Sequence, residues 1–200
     1  MSTRVRRALL ELFVIFVGVT AAFFVEGYRG DLEQSAQLQQ VTDGLLAELR
    51  QHEVRSKMHA DSILIRVARW EAADAVGDQA IPAYYMMDGS PFPPTPAWDA
   101  AISSGVASLY EPSLRLDLGY YFNEFVGIHT NYVRRLSFIE REVLPRARVG
   151  PQAFYDTSGA LLPEFGTEME LLADFATELM ATGEWAARLI DRLSVSPGAS

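Results

Sequence analysis

The chain has no cysteine, which excludes a disulfide framework, a thiolate metal site and a thiol nucleophile together. Histidine is nearly as scarce, at three residues: His52, His59 and His129. Positive charge is thin as well. The 17 Lys and Arg are outnumbered by 26 Asp and Glu, for a formal charge of −9. They are scattered rather than gathered into the basic stripe that a phosphate backbone requires, so nucleic acid is excluded as a partner. No glycine-rich phosphate loop with its following Lys is present, and no H-E-x-x-H. Ser103-Ser104-Gly105 is not the G-x-S-x-G elbow, which also needs a preceding strand. Carboxylates are plentiful, but no spacing singles out an acid and base pair. We therefore expect no enzyme, no catalytic residue and no bound cofactor. No stretch alternates apolar and polar residues with β-branched enrichment for long enough to form a strand, and no internal repeat occurs.

What the chain does have is one long oily run, Ala8 to Tyr28. From Leu12 to Val25 it holds no charge and no polar face, so it has nothing to turn toward water. With Glu11 and Glu26 at its edges the run reaches the length of a membrane span. Arg7 stands one turn before Glu11 and is placed to pair with it. Gly18 and Ala22, four apart, leave a small-residue strip on which another helix can close. A cleaved signal peptide is the rival, with Val19-Thr20-Ala21 as the cut. We expect the segment to be retained, because bulky Phe23, Phe24 and Val25 continue past that point. Arg4, Arg6 and Arg7 lie before the run, whereas Glu26, Asp31 and Glu33 outweigh Arg29 after it. This predicts a cytoplasmic amino terminus (1–7), a transmembrane helix (8–28) and a periplasmic domain (29–200) in a bacterial inner membrane.

From Asp31 to about Ala75 there is no proline, and Leu38, Val41, Leu45, Leu49, Ile63, Val67 and Trp70 recur at helical spacing. One helix running from the membrane into the domain is predicted, with Gly27, Gly30 and Gly44 as its possible bends. Ala80 to Pro96 is a connector with five prolines. Its Tyr84, Tyr85, Met86, Met87 and Phe92 form either a partner-contact surface or a lid on the core. Beyond it, Ala97 to Leu109 reads as helical, with Thr95 as the N-cap candidate before Pro96 at N1, either as one helix or as two short ones. A second long helix opens at Glu111-Pro112 and stops at Leu144-Pro145, and a loop covers Arg146 to Gly166. A final helix runs from Thr167, capped by Thr167 and Glu170, to Leu193, with Leu171, Leu172, Phe175, Leu179, Trp185, Leu189, Ile190 and Leu193 inward. The fold class is all-α: one transmembrane helix continuing into a bundle of about four helices.

On the first helix Glu48, His52 and His59 share one face. With Glu124 or His129 opposite they make a conceivable metal set, but the paired Glu-x-x-His of di-iron bundles is missing. The expectation is no metal, with the histidines polar or partly exposed. Trp70, Trp98 and Trp185 read as core residues.

Two motifs carry a resemblance. The opening Glu11, aliphatic run, Gly18, Ala22, Glu26 and Tyr28, together with Trp98, Ser104-Gly105, Leu114 and Tyr120-Tyr121, is similar to an uncharacterised family of bacterial single-span membrane proteins. Tyr28 stands where an exit Trp is usual in that family. The resemblance implies the topology and a helical exported domain, and no catalytic residue. Together these features point to a non-enzymatic accessory or scaffolding subunit of a larger inner-membrane complex. Its partners would be membrane lipids and other integral membrane subunits, touched through Glu11, Gly18, Ala22 and the connector aromatics. A photosynthetic reaction-centre and light-harvesting assembly is the host expected, with a respiratory one beside it. The alternative is a membrane-anchored periplasmic sensor or ligand-binding domain. With about seven residues before the span, such a sensor would need a partner to pass its signal on.

Overall fold

The computed structural model describes residues 3–87 and 95–195; before Leu32, side chains are described only for Phe16 and Glu26. Five helices follow one another: α1 (Thr3–Asp74), α2 (Pro96–Ser103), α3 (Pro112–Phe138), α4 (Leu144–Val149) and α5 (Pro163–Val195). An isolated bridge between Tyr155 and Leu161 is the only β pairing among the described residues, so the all-α class holds there.

The first helix is continuous over 72 residues, about 110 Å at the helical rise. Gly27, Gly30 and Gly44 lie within it. Gly44 serves a close approach, since a Cβ there would stand 3.4 Å from that of Ala97 at the start of α2. Among the described residues no helix is long and apolar enough to cross a membrane. The side chains of the stretch 8–28, including Glu11, Gly18 and Ala22, lie outside the described residues apart from Phe16 and Glu26.

Three long helices make the bundle. Leu45, Leu46 and Leu49 of α1 pack with Leu114, Leu118 and Tyr121 of α3 and with Leu189 and Leu193 of α5. Farther along, Ala60, Ile63 and Val67 meet Ile128 and Tyr132 of α3 and Met169, Leu172 and Phe175 of α5. Hence α3 runs parallel to α1, and α5 antiparallel to both. The main backbone-to-backbone pairing is α1 with α5, and small residues make it possible. Gly183 faces the Glu53 carbonyl and Ser56, between buried Ala60 and Ala186. By contrast α1 and α3 stand apart, and aromatic side chains fill the space between them. The strap, residues 75–87, leaves α1 through Gly77 at φ +72° and returns without helix along this gap.

Several expected boundaries are corrected. Of the two arrangements left open for the stretch from Ala97, the structure has two short pieces, because Gly105 at φ +77° separates α2 from a 3-10 turn. Pro145 does not stop the second long helix. A π turn over Ile139–Val143 shifts the register, so Pro145 falls in the first turn of α4, where its missing N–H is not needed. The last helix begins at Pro163, one turn before Thr167. Thr167 and Glu170 are therefore interior and cap nothing, while Phe165 in the new first turn is buried. Leu171 is 45% exposed rather than inward, since its neighbour Leu172 takes the core position.

The α1–α5 approach gives a direct test. A Cβ on Gly183 would meet the Glu53 carbonyl oxygen at 3.4 Å, so Gly183→Ala should leave stability within about 1 kcal/mol, its better helix propensity offsetting the tight contact. Gly183→Leu must force the helices apart and should cost about 1–3 kcal/mol. Thermal melts followed by circular dichroism read both; a leucine variant melting with the wild type would mean the helices do not meet there.

Candidate functional site

A line of polar side chains lies inside the bundle, on the α1 face turned to α3 and α5. Thr42, Glu48, His52, Ser56 and His59 are all buried, spaced by whole helical turns among the leucines of the same face. Buried polar groups need partners, and those partners come from every other part of the domain.

Thr42 Oγ1 lies 2.9 Å from the Tyr110 hydroxyl. Glu48 Oε2 accepts from the Ala97 backbone N–H at 2.9 Å. Pro96 has no N–H to offer, so Ala97 presents the first free donor of α2, and α1 caps that helix in trans. Thr95 occupies the N-cap position but its side chain makes no capping bond; its hydroxyl donates to Asp99 instead. The second oxygen of Glu48, Oε1, is buried without a partner.

His52 Nδ1 shares a hydrogen bond of 3.2 Å with the Tyr121 hydroxyl, and its ring stacks on Phe125 with centroids 3.9 Å apart. Phe125 also packs against His129, with ring centroids 4.6 Å apart. The His129 Nδ1 donates to the Phe125 carbonyl at 2.8 Å, which fixes the proton on that nitrogen. Trp98 stacks on Phe122, and Trp185 meets Tyr121 edge-on. His59 Nδ1 binds the Tyr85 hydroxyl at 2.6 Å.

Burial governs the electrostatics. It raises Glu48 from 4.5 to about 7, against the pull of the Ala97 N–H and with Asp99 pushing the same way as burial. Burial, then the nearby His129 and Arg55, lowers His52 from 6.5 to about 4. His129 is lowered chiefly for the same reason, and the Tyr121 hydroxyl is pushed up. Near neutral pH the group is thus two neutral imidazoles, a phenol that keeps its proton and a carboxyl that shares one with solvent.

The histidines are buried rather than partly exposed, because they sit on the leucine face. Glu124 points outward, so the conceivable metal set does not assemble. Among the described residues no three His, Asp or Glu side chains come together. Three clefts lined by described residues lie at Arg66 to Tyr84, at Glu111 to Val195 and at Glu53 to Ala187, and none is lined by Glu48, His52, Tyr121 or His129. The arrangement is a hydrogen-bonded brace.

The connector aromatics divide between inside and outside. Tyr85 is buried on His59, Tyr84 packs beside Phe154 and Phe165, and Met87 donates its N–H to the Tyr132 hydroxyl at 2.7 Å. Met86 faces out, and Phe92 lies outside the described residues. The role of Glu48 as a cap was missed in the sequence. Its signal was the helical phase, which puts Glu48 beside Leu45, Leu49 and His52 on the inward face.

The chain matches no family model, no curated protein and no solved structure. A functional reading therefore stands on residues and geometry alone.

The brace makes a pH prediction. A carboxyl raised from 4.5 to about 7 contributes stability that is full below pH 4.5 and is lost as pH rises through 7. An imidazole lowered from 6.5 to about 4 contributes stability present above pH 6.5 and lost as pH falls through 4. Glu48→Gln keeps an acceptor for the Ala97 N–H and cannot ionise. It should match the wild type near pH 4.5 and exceed it at pH 8 by about 1–3 kcal/mol. Denaturant melts at the two values check this; an equal difference at both would mean Glu48 does not titrate in that window.

Proposed function

We propose that this chain is a non-enzymatic accessory subunit, tethered by residues 8–28 of α1 in a bacterial inner membrane. Its domain, residues 29–200, docks in the periplasm against other integral membrane subunits. The observation that supports this best is the outer face of α1. Leu32, Val54, Met58 and Ile65 fall on one line of the helix, opposite the buried face, and are 53, 66, 51 and 59% exposed. Exposed Ala36, Ala47, Ala68 and Ala72 share that side. Asp43, Arg50 and Asp61 are exposed on the same side, so it is a mixed face in which the apolar residues offer contact area and the charges offer pairing to a partner.

The line lies on the same helix as the oily stretch 8–28, so a subunit embedded beside the span meets α1 again outside it. Leu32 to Gln37 are exposed, and the bundle first touches α1 at Leu38. From Leu32 to Leu38 that is about 9 Å of exposed helix at the near end of the domain, room for a partner's loops. A photosynthetic or respiratory assembly offers such neighbours.

Gentle detergent extraction from the native membrane should bring this chain down with larger integral subunits, and protease added to spheroplasts should remove the part after residue 28. The triple variant Val54→Asp, Met58→Glu, Ile65→Lys should cut the co-purifying partner about tenfold or more without lowering the melting temperature. Recovery of the wild type as a lone monomer, or a domain protected in intact spheroplasts, would reject the assignment.

A further inference from the structure

The end of the bundle farthest from residue 28 carries a cleft of about 280 Å³. Its floor is the last turns of α1, where Arg66, Arg69 and Trp70 stand at i, i+3 and i+4 on one side. Its roof is the strap, with Ile81 and Pro82. The strap is held at two pins, where the Tyr155 hydroxyl donates to the Ala80 carbonyl at 2.7 Å and where Tyr85 reaches His59. Between the pins it bridges over α1 without filling the space below.

Two features of the lining await a partner. Arg135, Arg146 and Arg192 are paired with carboxylates, whereas other exposed arginines such as Arg50, Arg55 and Arg188 are not paired among the described residues; what sets Arg66 and Arg69 apart is that both line one cleft. Arg66 and Arg69 form no ion pair among the described residues, and Arg66 instead rests over the Tyr85 ring at 5.8 Å. The Trp70 indole N–H is buried and has no acceptor, although a buried donor left unmet is costly. The walls between them are apolar.

We propose that this cleft binds a small organic carboxylate with an apolar body. The carboxylate lies between the Arg66 and Arg69 guanidinium groups, whose fork geometry suits it. The body lies against Trp70, Ile81 and Pro82, and a small swing of the indole brings its N–H to a ligand oxygen. This site adjoins the outer face of α1 at Arg69, one turn beyond Ile65, but does not depend on docking there.

Isothermal titration of the full chain in a non-ionic detergent, with phenylacetate as the probe, tests it. Saturable one-to-one binding is expected. It should weaken about tenfold or more in Arg69→Gln and in Arg66→Gln, with melting temperatures unchanged, and less in Trp70→Phe, which keeps the ring and loses the donor. Phenylacetamide, which keeps the body but replaces the charged acceptor oxygen with a neutral NH2 donor, should not bind, and inorganic phosphate should bind more weakly than phenylacetate. Equal binding of the amide, equal or tighter binding of phosphate, unchanged affinity in both arginine variants, or no saturable heat with phenylacetate would each overturn the proposal. Co-purification of the same variants with membrane partners reads the docking role separately.

Discussion

The gap between α1 and α3 is the constraint to which the rest of the domain answers. Those two helices do not approach through their backbones, so large side chains occupy the interval, and the α1 residues facing it include a carboxylate and two imidazoles. Each must be met once it is buried. Tyr121 meets His52, Tyr85 meets His59, and the first free amide of α2 meets Glu48. These contacts decide where α2 sits and which way the strap runs. Beyond Gly77 the strap forms no helix, and its polar backbone groups are answered by tyrosine hydroxyls from α3 and from the loop before α5.

The other half of the bundle works by the opposite means. Along α1 and α5 the residues at the crossing are Gly183, Ser56, Ala60 and Ala186, and the helices close until backbone meets side chain. One seam is thin and made of small residues; the other is thick, aromatic and hydrogen-bonded. Both seams use the same helix, which explains why α1 carries buried residues around so much of its circumference yet keeps one mixed face exposed.

Much of this was legible in the sequence. The recurrence of Leu38, Leu45, Leu49, Ile63 and Val67, and of Leu114, Leu118, Tyr121, Phe125 and Tyr132, marked two of the long helices, because a period of 3.6 has no other common source. What misled were local signals that tertiary structure overrode. Pro145 reads as a stop until a π turn resets the register ahead of it. Thr167 and Glu170 spell a capping box, but Pro163 opens the helix a turn earlier to bury Phe165. The adjacent Leu171 and Leu172 cannot both face inward, and periodicity alone did not choose between them. The site was less legible. His52 and His59 were seen on one face, but a helical pattern does not reveal that the facing surface is aromatic, nor that α2 would end against Glu48. The unpaired state of Arg66 and Arg69 depends on where acidic residues fall in space, which no spacing announces.

The unbroken course of α1 has a geometric consequence. Because no loop intervenes between residue 28 and the bundle, the compass bearing of the domain about the helix axis is set by the number of residues in between, at about 100° for each. A residue gained or lost there would swing the outer face and the distal cleft together to a new azimuth, while seven would bring them to within about 20° of the original one. Any neighbour that grips the first turns of this helix therefore also dictates which side of the domain looks toward it.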